Sequence, residues 1–138
     1  MESPEGSPPD LRSVFGRLES GSSAGSADMF AEQFLNLDPA RAMVVTRDQL
    51  SAALPQRQTL FAAAGIRGTR LQHLDVRPLD ALHQLADTEW AAEFDDPNAE
   101  PLTLRSTFLV RLVDGAWRIV VYLNHQDIVT ELARRATR

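Results

Sequence analysis

Two of the three histidines in the chain are followed two residues later by an aspartate: His73 by Asp75, and His125 by Asp127. Residues two apart on a strand emerge on one face, within hydrogen-bonding range of a common neighbour. An aspartate that orients a histidine is one way to assemble a general base. Arg77 continues the first set on the same face, so an exposed charged ladder accounts for that set equally well. The second set sits beside Asn124 and just after Tyr122, the single tyrosine, and forms the densest polar cluster attached to apolar sequence. It also has a structural reading: Asn124 or Asp127 caps a following helix and His125 packs at the end of the sheet, because a strand that turns into a helix needs a cap.

Other chemistry-bearing residues are fewer. Arg57 lies on the side of a predicted helix that faces the sheet, where a guanidinium could hold a ligand carboxylate or phosphate, or pair with Asp48 or Glu89. Glu93, Asp95, Asp96 and Glu100 form an acidic run without the glycine and spacing of an EF-hand loop, which reads as a solvated hairpin. Gly21, Ser23 and Gly25 match the G-x-S-x-G pattern formally, but a nucleophile elbow needs a strand before it and a large α/β sheet around it, so this segment reads as a linker. The chain lacks cysteine, an H-x-x-x-H pair, a G-x-G-x-x-G fingerprint and a P-loop. The expectation is therefore no metal, no cofactor and no thiolate chemistry.

These side chains need a scaffold, and the apolar pattern predicts one. Residues 1–9 are polar and Pro-rich and read as a flexible tail, which leaves 10–138 as a single domain. Leu11, Val14, Phe15 and Leu18 have helical spacing behind Asp10 as a cap. An apolar segment from Met29 to Leu37 ends at Asp38-Pro39, and a short strand over 42–45 follows. Thr46 and Gln49 form a capping box for the next helix. Pro55 should break that helix and open a second one, which runs to Ala64 and stops at Gly65. Residues 69–125 read as four long strands with turns at 79–81, 95–101 and Asp114-Gly115.

In the last strand, simple alternation puts Trp117, Ile119, Val121 and Leu123 on one face and Val120 and Tyr122 on the other. A strand apolar on both faces is covered on both. The helices can cover only one side, so a second subunit is expected on the other. A short helix from Ile128 ends with Arg134, Arg135 and Arg138, which suit its negative end.

Composition narrows the classes. The chain has 138 residues, 43% hydrophobic and 24% charged, enough for one buried core. A net charge of −5 argues against nucleic acid or an anionic membrane as partner. Arginine is used to the exclusion of lysine, which together with the many alanines fits the bias of a GC-rich bacterial genome. No basic start and apolar run marks a signal peptide, and no stretch reaches the roughly 20 apolar residues of a membrane span, so a cytoplasmic protein is expected.

Helices followed by a long antiparallel meander, with FLVRLVDGAWRIVVYLNHQD from Phe108 to Asp127 and Trp90 in the preceding strand, resemble the nuclear transport factor 2-like superfamily, which includes the SnoaL-like polyketide cyclases. The resemblance spans roughly residues 10–130. It implies an α+β fold, a cone-shaped barrel with N-terminal helices packed on a curved, mainly antiparallel sheet and a short C-terminal helix. It also implies an apolar pocket inside the cone and dimers formed on the outer sheet face. Such proteins include isomerases, dehydratases, epoxide hydrolases and cyclases, and also assembly domains and carriers, so the fold alone leaves function open.

The resemblance directs attention to polar residues on apolar strand faces, because enzymes of this kind place an acid or base in the pocket. Gln84 and Thr88 interrupt a face formed by Leu82, Ala86, Trp90, Ala92 and Phe94, and Ser106 interrupts one formed by Leu104, Phe108 and Val110. Arg57, Gln84, Thr88, Trp90, Ser106, Phe108 and Asn124 are the expected ligand-contacting residues, or else the polar ones on the strands satisfy nearby backbone. The expected catalytic groups are His73, Asp75, Tyr122, His125 and Asp127. The expectation is a binder of a small hydrophobic molecule, with isomerase, dehydratase or cyclase acid-base chemistry; the alternative is a non-catalytic homodimeric carrier or assembly module.

Overall fold

The computed structural model describes residues 10–16 and 27–136. The proposed tail, the 20–26 linker with its G-x-S-x-G match, and the continuation of the first helix to Leu18 lie outside the described residues. Helix α1 (Leu11–Gly16) begins after Asp10, whose carbonyl accepts from the Val14 amide at 3.2 Å. A 3-10 turn (Ala27–Met29) leads into β1 (Phe30–Asp38), which turns back through β2 (Arg41–Thr46) into helix α2 (Arg47–Ala63). The meander follows as β3 (Ile66–Asp80), β4 (His83–Phe94), β5 (Thr103–Val113) and β6 (Ala116–Asn124), and helix α3 (Ile128–Ala136) ends the described chain. The six strands form one sheet in the order β2-β1-β6-β5-β4-β3, antiparallel except where β1 runs parallel to β6. This is the α+β arrangement expected, a mainly antiparallel sheet with helices on one face.

Local rules place most of these boundaries. The Thr46 hydroxyl accepts from the Gln49 amide at 3.1 Å and the Gln49 side chain accepts from the Thr46 amide at 2.9 Å, the reciprocal capping box expected. The helix stops at Ala64, and Gly65 follows with φ +80, a conformation that costs a residue without Cβ nothing. The Asp114-Gly115 turn has both residues at positive φ, as a tight hairpin between β5 and β6 requires.

Two expectations are corrected. Pro55 does not divide the helix: α2 runs unbroken through it. A proline costs a helix one amide donor, here the partner of the Ser51 carbonyl. Both residues are exposed, so water can take that carbonyl and the helix continues. The second correction concerns β6. Leu109 pairs with Val121 but Val110 pairs with Ile119, so Val120 is an extra residue, a β-bulge. The bulge reverses the alternation. Trp117 and Ile119 share the buried face with Tyr122 and Asn124, while Val121 and Leu123 turn to the opposite face and stay half-exposed.

The core lies between the helices and one face of the sheet. Leu11, Val14 and Phe15 of α1 pack with Phe30, Phe34, Ala86, Trp90, Leu104, Phe108, Val110, Trp117, Ile119 and Tyr122. Helix α2 behaves differently. Leu50, Leu54, Arg57, Leu60, Phe61 and Ala64 recur at helical spacing along its inward side, yet all are only half-buried and no residue of α2 is fully buried. The helix therefore lies over the sheet with its inward side only partly sheltered, Leu50 and Phe61 packing against the buried core. No helix among the described residues is long and apolar enough to cross a membrane.

Candidate functional site

The buried sheet face beneath α2 forms an aromatic floor. Phe108 and Tyr122 stack with ring centroids 5.0 Å apart and planes within 6°, Phe15 tilts onto Phe108 at 4.8 Å, and Phe30 meets Tyr122 edge-on at 5.8 Å and Phe34 at 4.5 Å. Strand pairing explains the stack, because Phe108 and Tyr122 are direct cross-strand partners on the buried face.

One ionisable pair stands on this floor. The Tyr122 side chain is 8% exposed, and its hydroxyl lies 3.3 Å from Nη2 of Arg57, which reaches down from α2. Burial by itself would raise the phenol pKa. The charge and hydrogen bond of Arg57, together with hydrogen bonds involving Asn124 and Ser106, outweigh burial and bring it below the usual tyrosine value. Arg57 also lies over the Phe61 ring at 5.5 Å. It makes no ion pair with a carboxylate among the described residues: Asp48 is exposed, and Glu89 faces Arg105 at 3.7 Å on the other side of the sheet.

A chain of hydrogen bonds runs beside the pair, across three strands. Trp90 Nε1 donates to Thr88 Oγ1 at 2.8 Å, Thr88 Oγ1 donates to the Ser106 carbonyl at 2.9 Å, and Ser106 Oγ donates to Asn124 Oδ1 at 2.8 Å. Thr88, Ser106 and Asn124 are themselves successive cross-strand partners. Trp90, Thr88, Ser106, Phe108 and Asn124 are all buried on the floor face, while Gln84 is half-buried further along, opposite Val110. Thr88 thus satisfies a backbone carbonyl, and Ser106 and Asn124 connect the chain to the phenol.

The remaining expected catalytic residues lie elsewhere. His73 and Asp75 are exposed on the sheet face that the helices leave open, and so is His125 at the end of β6. Asp127 caps α3: its carboxylate accepts from the Thr130 amide at 3.2 Å and hydroxyl at 2.9 Å, and these bonds hold its pKa below the usual carboxylate value. Of the five expected catalytic residues, Tyr122 alone stands on the aromatic floor.

On the open face, Thr107 Oγ1 donates to Asp87 at 2.6 Å and lies 2.7 Å from His125 Nε2, in a shallow groove of about 270 Å³ that His73, Glu89 and Arg105 also line. Asp87 and Thr107 carry no spacing signal, because they meet only through the pairing of β4 with β5. Asn36 was also missed. It is the Cα partner of Tyr122, and its buried side-chain oxygen has no hydrogen-bond donor among the described residues. The i, i+2 spacing from the buried Phe34 is the signal that could have found it.

No protein-family model matches the chain, and no curated protein matches it. Solved structures do. An NTF-2-like protein of unknown function from Shewanella oneidensis MR-1 superposes with a TM-score of 0.57 at 13% identity, over 77% of this chain and 84% of its own. A proposed ketosteroid isomerase from Parabacteroides distasonis ATCC 8503 gives a TM-score of 0.62 at 11% identity, over 85% and 84%. A proposed calcium/calmodulin-dependent protein kinase II association domain from Xanthomonas campestris gives 0.59 at 19% identity, over 92% and 93%. At such identities the likeness is one of fold. The chain has the nuclear transport factor 2-like α+β fold.

Proposed function

We propose that the protein binds a small, largely apolar molecule between α2 and the sheet, and that Tyr122 engages an oxygen of that molecule in acid-base chemistry of the isomerase, dehydratase or cyclase type. The observation that carries this reading is a phenol of lowered pKa, backed by Arg57, on a floor otherwise made of aromatic carbon. A hydroxyl beside a guanidinium is a strong donor toward a carbonyl oxygen that gains negative charge as an enolate forms. The aromatic floor supplies the apolar contact and excludes water, so the donor acts at a low local dielectric.

Proton exchange tests this reading directly. In deuterated buffer the protein should accelerate deuterium uptake at the α-carbon of fused-ring ketones such as 2-tetralone, as read by NMR. Tyr122→Phe should lose on the order of 10²-fold of that rate, the usual effect of removing one oxyanion donor. Saturable binding without exchange would leave a carrier, and no binding at all would end the reading.

A second reading, a homodimeric carrier or assembly module, has its own support. Leu35, Val121, Leu109 and Leu85 form a continuous cross-strand row on the open face, and Leu37 and Leu123 form a second short row. All of these are only partly covered, and Leu35 is 37% exposed. Contiguous aliphatic surface of this kind fits a partner, and a second copy of the sheet offers a self-complementary one.

A further inference from the structure

The sheet face turned away from the helices carries two neighbouring rows that each cross all six strands. From β2 to β3 the first runs Val44, Leu35, Val121, Leu109, Leu85, Arg77. The second, two residues away on every strand, runs Ala42, Leu37, Leu123, Thr107, Asp87, Asp75. Both rows are aliphatic over β2, β1 and β6, but at β3 one ends in a cation and the other in an anion. Val44 is 64% exposed, and Arg77 and Asp75 are exposed as well. Neither of these two charges enters an ion pair among the described residues. Asp75 stands directly across from a like charge, the carboxylate of Asp87, and carboxylates so placed repel. A cation brought to Asp75 from outside the chain would relieve that repulsion.

From this pattern we infer that two copies of the chain meet open face to open face about a two-fold axis running between the two rows and parallel to them, with Arg77 of each copy paired to Asp75 of the partner subunit. The inference rests on the homodimer reading above and supplies its symmetry and the residues that fix its register. An axis in that position exchanges the rows. Leu35 then lies over Leu37 of the partner subunit and Val121 over Leu123 of the partner subunit, so aliphatic carbon is buried against aliphatic carbon. At the far end Arg77 faces the partner's Asp75, and symmetry makes that contact twice. Stacked sheets lie about 10 Å apart, a gap that an arginine and an aspartate reaching toward each other bridge. Asp87 enters the contact already accepting from Thr107 at 2.6 Å, so its carboxylate keeps a donor. An axis parallel to the strands would instead set β3 over β2 and press Arg77 and Asp75 onto aliphatic side chains, leaving both charges without a partner.

The test uses the full-length protein, with dimer dissociation constants from sedimentation equilibrium and composition from native mass spectrometry. Arg77→Asp makes this end of both rows acidic, and Asp75→Arg makes it basic. Each variant should therefore repel its own copy and dimerise roughly tenfold more weakly than wild type. An equimolar mixture of the two should recover the wild-type constant as a one-to-one heterodimer, because opposite charges then meet at both contacts. A chain carrying both substitutions should recover it alone.

A wild-type chain that stays monomeric at every concentration would overturn the homodimer reading and this inference together. A dimer that neither variant weakens, or two weakened variants that mixing does not restore, would overturn the axis and the Arg77–Asp75 pair while the homodimer reading stands. Both residues are exposed and outside the core, so the variants should keep the wild-type far-UV circular dichroism. Should a charge reversal not fold, Arg77→Gln and Asp75→Asn decide instead: each removes the attraction without adding repulsion and should weaken the dimer roughly threefold. An unchanged constant in both would overturn the pair.

Discussion

Tyr122 owes its altered acidity to two opposing effects, and their balance can be measured on one side chain. Burial favours the neutral phenol, while the Arg57 charge and the hydrogen bonds involving Arg57, Asn124 and Ser106 favour phenolate, and the second set prevails. The folded-state value therefore lies below the roughly 10 of an unfolded tyrosine. The unfolded chain holds its proton to higher pH than the folded one. Stability should accordingly rise as pH increases through the folded midpoint, be fully gained above the unfolded value, and be lost again as pH falls back through the folded midpoint. Tyrosinate absorbance, which reports this residue alone, should give a midpoint below that of free tyrosine. In Arg57→Met burial is left less opposed, so the midpoint should move up and the rise in stability should shrink or reverse. A midpoint that is unchanged in the variant would mean that Arg57 does not act on the phenol.

At the C-terminal end of the described chain, one side chain ties helix α3 to the loop at 100–101. Helix α3 packs with Leu132 1% exposed, and Arg135 in its last turn is nailed down. The Arg135 guanidinium donates to the carbonyls of Glu100 at 2.9 Å and Pro101 at 3.3 Å, pairs with Glu131 and lies 5.1 Å over the Phe94 ring, with its side chain 8% exposed. Truncation to alanine would strip two carbonyls of their donor and remove the aliphatic packing of the stem. We expect Arg135→Ala to cost about 2 kcal/mol and lower Tm by roughly 8 °C, with only partial recovery in Arg135→Lys. A loss under about 0.5 kcal/mol in denaturant unfolding would show that the helix is held by Leu132 and its neighbours instead.

At the scale of the molecule, the two faces of the sheet serve different ends. One carries the core and the Arg57–Tyr122 pair; the other carries an aliphatic row through Leu35, Val121, Leu109 and Leu85 beside the polar groove of Asp87, Thr107 and His125. If two copies meet through this face, light scattering should give twice the chain mass. Leu109→Arg combined with Leu123→Arg should return a monomer with most of its thermal stability, since neither residue belongs to the buried core. A wild-type monomer at working concentrations would remove the dimer reading.

The sequence by itself determined whatever depends on local physics. The capping box at Thr46 and Gln49, the glycine stop at Gly65, the Asp114-Gly115 hairpin and the period-2 alternation of β5 follow from interactions within a few residues, and each stands where the pattern put it. Local placement also held for Thr88, Trp90, Ser106 and Phe108, because regular alternation carried them to the buried face, and for Arg57, because helical spacing turned it inward; Asn124 shares the face of Trp117 and Ile119 only because of the bulge. What tertiary structure decided was the partnership of distant residues and the phase of the bulged strand. Val120 leaves no mark in the sequence as an extra residue, yet it moves Tyr122 onto the same face as Trp117 and Ile119. His73, Asp75 and His125 have the spacing of a base and its orienting acid, but spacing is blind to which face of a sheet the helices cover. Only the packed fold shows that they lie on the open side while Arg57 and Tyr122, 65 residues apart, meet between the helix and the sheet.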